Sequence, residues 1–505
     1  MTTSAHPPVS SAPSDASAVP SVASSGKNVT HNGSGADDWL NMLAQHAAQA
    51  SNFVVPLTLA LSLSILIWAL PQELSVEGRK VLIVLALAII GWTMTSLGDS
   101  TVAIAAVIAL AVSGTIESDD LYQSLGHELI WLLIAAFLIA AVLRSGGLIE
   151  PLVLAMTGSF VSVPRLFYGL TASISATALV IPSTSARAAL LLPVFLVLAH
   201  QIRSRPIVRA LALLFPTVIL LSASGSLIGA GAHVLAAEVM ANDGGRTVGY
   251  LGWMMLAMPI ALLSSFAATS IILNGFLSPA LRTRQLRLAR PPSIPKSWQH
   301  RAILVVLLST ICLWILQPWH GLGLGVVALA SAFVLLKLSQ TFLKPKDAFK
   351  AVEIELILFL AATFTLADAM TDADVDEWLA ASFKSVVPGL ANWHEGLVIA
   401  AMAIIALLAH LVITSRTARA AVLIPSCVLP LVELGGDITT LVMVTMVGTG
   451  LCQTMSASAK PVAIFSNAPI PTYTSGDLMR LSAGLMPMMF VLIMVFALFV
   501  WPAFD

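Results

Sequence analysis

The chain has 505 residues, of which 58% are hydrophobic and only 10% are charged, and its formal net charge is −1. Soluble globular proteins are about a quarter charged, so this composition excludes a water-soluble globular protein. Several apolar runs reach the ~20 residues that a helix needs to cross the hydrocarbon layer. The chain is therefore predicted to be an all-α polytopic membrane protein in a lipid bilayer, with no nucleic acid among its partners.

The N-terminal part, residues 1–38, is rich in Ser, Ala and Pro and almost free of charge. Such a composition cannot form a core, so it predicts a disordered tail. The first transmembrane repeat is expected over 53–276. Its first four spans are predicted at 53–70, 79–96, 101–115 and 127–144.

The pattern then changes, because two short apolar arms, 165–181 and 187–203, meet at the polar sequence Pro182-Ser-Thr-Ser185. Such a pair is typical of a re-entrant hairpin. The following segment, 208–239, contains a central stretch rich in Ser and Gly, from Ser222 to Gly231. Glycine allows unusual backbone angles and serine can bond freed backbone groups, so this segment is predicted to be a broken helix. A span at 250–274 closes the repeat.

A basic linker follows at 277–300, and by the positive-inside rule it is expected in the cytoplasm. The second transmembrane repeat is expected over 301–502. Its predicted parts are spans at 301–317, 321–337 and 352–370, hairpin arms at 396–413 and 418–434, a broken helix at 437–466 with its break near Ser456 to Pro461, and a last span at 478–501.

The two halves share a register. Ser183-Thr-Ser-Ala-Arg-Ala at the first tip recurs as Ser415-Arg-Thr-Ala-Arg-Ala, and the two serines lie 415 − 183 = 232 positions apart. The same offset relates Ser224-Gly-Ser226 to Ser456-Ala-Ser458. If the basic loops lie in the cytoplasm and the acidic loops outside, the first hairpin is predicted to open to the cytoplasm and the second to the outside. The sequence thus predicts two inverted repeats with about 11 transmembrane helices, two re-entrant hairpins and two broken helices.

Fixed cations lie at the polar segments of this apolar chain. Hairpins and broken helices form the central binding site in many secondary transporters, and a cation there costs about 2.5–3.5 kcal/mol. The simplest reason to place several of them together is a negatively charged substrate, bound by guanidinium groups and hydroxyls. The candidate substrate-binding residues are Ser183, Thr184, Ser185, Arg187, Ser415, Arg416, Thr417, Arg419 and Lys460.

Structural roles remain open for some of these residues. Arg187 and Arg419 occupy equivalent positions and could instead brace the two tips by bonding carbonyl groups. Arg416 and Lys460 have no cationic counterpart in the first half, where Thr184 and Ile228 stand, so they are the better candidates for contact with an asymmetric ligand. The tip hydroxyls could merely satisfy loop backbone. Three histidines in apolar surroundings could carry protons or be structural: His127, His233 and His410.

The tips resemble the paired Ser-Asn-Thr motifs of the divalent anion:sodium symporter family, which includes dicarboxylate, citrate and sulfate carriers of the wider ion transporter superfamily. In that family each motif lies at a hairpin tip and is followed by Ala-Thr-Ala and a Leu-rich run that ends in Pro. The resemblance implies sodium as a coupling ion. In this chain, however, Thr184 and Arg416 replace the motif asparagines that help to bind sodium. An arginine has no acceptor oxygen, so coupling at the second sodium site is doubtful. A first sodium site around Ser183, Thr184 and Ser226 could persist.

These observations predict a secondary active transporter of a small organic or inorganic anion, of the dicarboxylate, tricarboxylate, sulfonate or sulfate class. It would work by elevator-like alternating access, as a homodimer in the cell (inner) membrane with a cytoplasmic N-terminus. The early spans of each repeat, 53–115 and 301–337, would form the scaffold. The alternative within the superfamily is a cation/proton antiporter or a metalloid-anion pump subunit, which would need buried acids at the broken helices. An enzyme is not expected, since no convincing nucleophile–base or metal arrangement is visible.

The inverted topology can be tested by cysteine labelling in intact cells. A cysteine introduced near Glu377 should react with a membrane-impermeant reagent from outside, whereas one near Arg287 should react only after the membrane is opened. Labelling of both positions from one side would contradict the inverted repeats.

Overall fold

A computed structural model describes residues 54–69, 74–154, 160–244, 248–288, 297–386 and 394–504. The predicted tail at 1–38 and part of the linker lie outside the described residues. The described chain is almost entirely helical, as the sequence predicts.

The first half contains twelve helices and two short strands in its described residues. In chain order they are α1 (Val54–Trp68), α2 (Val76–Met94), α3 (Asp99–Val112), α4 (Ser118–Leu125), α5 (Glu128–Ser145), α6 (Ile149–Leu154), β1 (Phe160–Ser162), α7 (Val163–Ala176), α8 (Thr184–Ile202), α9 (Arg205–Ala223), α10 (Gly231–Gly244), α11 (Tyr250–Phe276), α12 (Pro279–Arg282) and β2 (Gln285–Arg287).

The second half continues with twelve helices in its described residues. They are α13 (Trp298–Ile315), α14 (Gln317–His320), α15 (Leu324–Leu338), α16 (Pro345–Phe349), α17 (Ile354–Asp372), α18 (Val375–Val386), α19 (Glu395–Leu408), α20 (Arg416–Leu423), α21 (Leu429–Glu433), α22 (Ile438–Gly448), α23 (Lys460–Ser466) and α24 (Ser475–Phe499).

Seven helices of the described chain are long and apolar enough to cross a membrane, and five shorter ones are also apolar. The all-α polytopic fold is thereby confirmed, while the number of crossings stays a prediction. The predicted spans and hairpin arms agree with these helices to within a few residues. Helix α18, which begins at Val375 shortly after α17 ends, was not among the predicted elements.

The two hairpin tips, 180–183 and 412–415, have the predicted length but lie two residues earlier in the chain than predicted. In each hairpin a 3-10 turn extends the first arm, over Thr177–Leu179 and Ala409–Leu411. The second arm then begins at Thr184 in one hairpin and at Arg416 in the other. The reason is capping: the hydroxyls of Ser183 and Ser415 accept hydrogen bonds from the backbone N–H groups three residues later. A serine in this position satisfies a free donor of the first helical turn.

Both predicted broken helices are present, with breaks of different length. The first break lies between α9 and α10 and contains a 3-10 turn at Leu227–Gly229. The second runs from the end of α22 at Gly448 to the start of α23 at Lys460, so it starts well before the predicted position. Pro461 sits in the first turn of α23, where its fixed backbone angle and missing N–H favour a helix start. The sequence signal marked only the end of this break.

Helices of the two halves pack against each other. Helix α5 of the first half packs on α15, and α17 of the second half packs on α3. These contacts join α2, α3, α5, α13, α15 and α17 into one group, here called the framework helices. The hairpins and broken helices of both halves form a second group, α7–α10 and α19–α23, here called the hairpin bundle. The early spans α2, α3, α13 and α15 thus pack together with α5 and α17, and their role as a scaffold stays a prediction.

The linker contains a feature that the sequence did not reveal. Strand β2 pairs antiparallel with β1, just before the first hairpin, in the register Phe160↔Arg287 to Ser162↔Gln285. Three-residue strands are too short to show an alternating pattern of hydrophobic and polar residues. The first part of the linker is therefore attached to the base of the first hairpin.

Candidate functional site

A cavity of about 670 Å³ is lined by both hairpin tips and by residues of both helix breaks. It also contains the first residues of α3 and α17, which are framework helices. Of the nine predicted substrate-binding residues, eight line it, namely Ser183, Thr184, Ser185, Ser415, Arg416, Thr417, Arg419 and Lys460. The structure thus gathers these residues around one space, and their contact with a substrate stays a prediction.

Arg187 lies outside the cavity lining and is completely buried. Its guanidinium group donates to the carbonyl oxygens of Ile174 (2.7 Å) and Ile219 (2.9 Å). It also donates to the hydroxyls of Thr177 (3.0 Å) and Ser222 (2.8 Å). These partners belong to the first hairpin arm and to the end of α9. Every nitrogen of Arg187 is bonded to protein, which favours the bracing alternative for this residue.

Arg419 makes the equivalent contacts in the second half and is also completely buried. Its nitrogen Nη1 donates to the carbonyl oxygens of Ile413 (2.7 Å) and Thr414 (3.2 Å) at the hairpin tip. Nη2 donates to the carbonyl of Thr449 (3.0 Å), at the end of α22, and lies 2.7 Å from the Cys452 sulfur. Among the described residues, Nε has no hydrogen-bond partner. Arg419 thus braces its tip while also lining the cavity.

Arg416 is bonded differently from these two arginines. Its Nη2 donates to the Ser224 hydroxyl (2.9 Å) in the first break and to the Met446 carbonyl (2.8 Å) near the end of α22. Its Nε and Nη1 are buried, and no group of the described chain bonds them. A buried charged donor without a partner is unfavourable by several kcal/mol, so proteins rarely keep one without a ligand. These two unbonded donors distinguish Arg416 from Arg187, and contact of Arg416 with an anion stays a prediction.

Lys460 is a further cation that lines the cavity, and its charge acts on the nearby carboxyl of Glu353. It is the first residue of α23 and is solvent-exposed, and no hydrogen bond or ion pair to it occurs in the described part of the chain. Its ammonium group is therefore free to face a ligand. A flexible Lys gives a point charge, whereas Arg416 supplies oriented donors.

Three carboxylates also line the cavity, and the sequence analysis did not identify them: Asp99, Glu353 and Glu355. The Ser183 hydroxyl donates to Glu353 Oε1 at 2.9 Å, which joins the first hairpin tip to the start of α17. Glu353 directly precedes the spanning segment, and burial raises the pKa of its carboxyl, although Ser183 and Lys460 act in the opposite direction. Acids at helix starts are common for capping, so nothing in the sequence distinguished these from ordinary ones.

The residues predicted for a first sodium site are only partly brought together. Ser183 and Thr184 line the cavity, whereas Ser226 is completely buried and is not part of the lining. The Ser226 hydroxyl lies 3.5 Å from the Tyr250 phenol oxygen. The Ser183 oxygen already accepts the N–H of Ala186. These hydroxyls fit a cation only in part, and the sodium site stays a prediction.

The three histidines have protein partners. His410 bonds the Leu407 carbonyl and the Thr454 hydroxyl, both at 2.7 Å, and His233 bonds the Ser226 carbonyl at 2.9 Å. His127 lies 3.2 Å from Glu238 in a second cavity of about 650 Å³. These contacts favour structural roles for His410 and His233, which sit inside the hairpin bundle.

Comparison with known proteins identifies the family of the chain. The sequence profile described as "Citrate transporter" matches residues 85–448, which is most of the chain. The chain belongs to the citrate transporter family. The resemblance to carriers of the ion transporter superfamily is thereby confirmed, and so is a small anion as the general class of substrate.

Two curated relatives align with most of the length of this citrate transporter family member. YflS of Bacillus subtilis (strain 168), which is named for malate transport, is 24% identical over 377 residues, covering 70% of this chain and 76% of YflS. A protein of Cupriavidus necator named only as a membrane protein is 23% identical over 414 residues, covering 75% and 78% of the two chains.

Two solved transporter structures share the fold. The YdaH transporter of Alcanivorax borkumensis superposes with a TM-score of 0.55 at 18% identity, over 79% of this chain and 89% of YdaH. MtrF of Neisseria gonorrhoeae, described as an antimetabolite efflux pump, superposes with a TM-score of 0.52 at 12% identity, over 87% and 97% of the two chains. At this identity the likeness concerns the fold alone, and it supports a multi-pass membrane protein.

The different bonding of the arginines predicts different effects of substitution. Arg187→Ala should lower the free energy of unfolding by about 3 kcal/mol or more, because several buried acceptors lose their donor. Arg416→Ala should cost less stability, since it loses only two bonds and removes two unpartnered donors. Thermal unfolding of the purified variants in detergent measures this. An Arg187→Ala protein with unchanged stability and lost anion binding would contradict the bracing role.

Proposed function

We propose that this protein is a secondary active carrier of a di- or tricarboxylate anion, which binds in the cavity between the two hairpin tips. The observation that carries the proposal is the position of Arg416, which lines a cavity formed by both tips and both breaks. Two of its guanidinium nitrogens are buried and are not bonded by the described chain. The names of the matching family and of YflS, citrate and malate, support carboxylates over sulfate or sulfonate.

The cavity lining also contains uncharged hydrogen-bond donors that could bind such an anion. Helices α8 and α20 both begin at the cavity, so backbone N–H groups of their first turns and the positive ends of their dipoles lie beside it. Hydroxyls of Thr184, Ser185 and Thr417 add neutral donors. A carboxylate on Arg416 and a second one near Lys460 would then match a substrate with two or more charges.

Two cavities at opposite ends of α17 support alternating access. The substrate cavity includes Glu353 at its start, and the second cavity includes Asp368 and Asp372 at its end. In the charge-based orientation the first opens to the cytoplasm and the second to the outside. We propose that the hairpin bundle moves against the framework helices between these openings. The Ser183–Glu353 contact and the His127–Glu238 contact join the two groups and would break during this movement.

Arg416 and Glu353 also bear on which ion is coupled to transport. The guanidinium group of Arg416 stands where the resemblance implies a ligand of the second sodium ion, so that ion is not expected. Glu353 offers a carboxyl whose pKa is raised by burial and whose partner is a hairpin-tip hydroxyl. We propose exchange, or coupling to a proton at Glu353, with at most one sodium ion.

Substitution of Arg416 tests the binding site. Arg416→Ala should remove charge-assisted contacts worth about 1.5–3 kcal/mol and weaken citrate or malate binding roughly 10- to 150-fold. Arg416→Lys should recover little of this, because an ammonium lacks the planar set of donors. Isothermal titration of purified protein with both acids measures the affinities. If both variants fold and bind like the parent, Arg416 is structural and the substrate lies elsewhere.

The coupling proposal is tested in proteoliposomes loaded with citrate or malate. Uptake should depend on sodium with a Hill coefficient of about 1 or less, or not at all. Glu353→Gln should remove the dependence on a pH gradient and retain exchange, because the amide cannot take up the proton. A steep dependence on several sodium ions contradicts the role of Arg416, and an unchanged pH dependence contradicts that of Glu353. Flux that is not stimulated by countersubstrate would indicate a channel.

A further inference from the structure

We infer that Ser224, in the break of the first broken helix, is the residue that positions Arg416 for anion binding. The inference rests on the proposed function and extends it to a residue outside the hairpin tips. The sequence marks Ser224 only as part of a repeated Ser-Gly-Ser segment, without a role. The structure places its hydroxyl on the guanidinium group of a residue 192 positions away.

Ser224 is itself held firmly in the protein interior. Its side chain is 3% exposed, and its carbonyl oxygen accepts the indole N–H of Trp253 at 3.0 Å. Its hydroxyl lies 2.9 Å from Arg416 Nη2. The second acceptor for Nη2, the Met446 carbonyl at 2.8 Å, belongs to the last turn of α22. Arg416 is thus held by one group from each broken helix.

This arrangement leaves particular donors for the ligand. An Nη2 group carries two hydrogens, and Ser224 and Met446 supply two acceptors for them. The donors that remain are those of Nε and Nη1, which the described chain does not bond. Removal of the Ser224 hydroxyl would release one side of Nη2, so that the guanidinium group could rotate and lose its fixed direction. An oriented donor contributes more to binding than one that must first be ordered.

Gly450, at the start of the second break, independently indicates that the position of Nη2 matters. A Cβ atom at this position would lie 3.0 Å from the Val447 carbonyl oxygen, 3.1 Å from Arg416 Nη2 and 3.4 Å from the Ser224 hydroxyl oxygen. Contacts near 3.1 Å are shorter than almost all normal Cβ contacts, so a side chain here would displace the guanidinium group. The backbone beside Nη2 therefore leaves space for the Arg416–Ser224 bond and for little else.

The test is a double-mutant cycle with citrate and malate as the ligands. Ser224→Ala, Ser224→Thr and Gly450→Ala are made in the parent chain and in Arg416→Ala, and dissociation constants are measured by isothermal titration. Ser265→Ala is the matched control, because Ser265 is completely buried and its hydroxyl donates to the Ala261 carbonyl of its own helix. Thermal unfolding of each variant reports on folding.

In the parent chain, Ser224→Ala and Gly450→Ala should each weaken binding about 3- to 10-fold, which is less than the loss from Arg416→Ala itself. Ser224→Thr keeps the hydroxyl and should bind close to the parent. In Arg416→Ala, neither Ser224→Ala nor Gly450→Ala should weaken binding further, because residues that act through one partner are not additive. Ser265→Ala should leave binding unchanged in both backgrounds.

Equal losses in both backgrounds would overturn the inference, because they would show that Ser224 acts without Arg416. Unchanged binding of Ser224→Ala in the parent, with weakened binding of Arg416→Ala, would overturn the positioning role alone. Unchanged binding of Arg416→Ala would overturn the proposed site and the inference with it. If Ser224→Ala fails to fold, Gly450→Ala provides the same comparison from the other side of the guanidinium group.

Discussion

The fold depends on buried guanidinium groups that satisfy carbonyl oxygens where helices are interrupted. A hairpin tip or a helix break frees backbone acceptors, and lipid offers no hydrogen-bond donor to replace the missing ones. Arg187 and Arg419 supply several donors each, and both connect a hairpin to the end of the broken helix in the same half. With these bonds the tips can stand inside apolar surroundings without a large desolvation penalty. Both arginines thus fix hairpin segments to the helices beside the cavity.

The candidate site arises where the two halves differ. Arg187 and Arg419 are equivalent and both act as braces, whereas Arg416 stands opposite Thr184 and has donors that the described chain does not bond. Arg416 lies on the second hairpin and donates to a serine from the first half, so a group from each repeat takes part in this contact. The two halves repeat the same hairpin and broken helix, but the guanidinium group of Arg416 has no counterpart in the first half.

Much of this organisation could be read from the sequence, because it rests on local patterns. The spans follow from apolar runs, and the tips and breaks follow from the shared offset between Ser183 and Ser415. What could not be predicted depends on contacts between distant segments. Glu353 reaches Ser183 across 170 positions, and an acid before a helix carries no sign of such a partner. The same applies to the role of Arg187, since its type and position suit a brace and a ligand contact equally well.

The short ladder between β1 and β2 fixes the point from which the connection to the second half begins. Because β2 is attached beside the first hairpin, about ten residues, from Arg287 to Ser297, connect this attachment to the start of α13. About ten residues reach at most about 33–36 Å when fully extended. This contour length sets an upper limit on how far the base of the first hairpin can travel from the start of α13. If the hairpin bundle moves as proposed, a shorter connection would restrict that movement without touching any residue of the cavity.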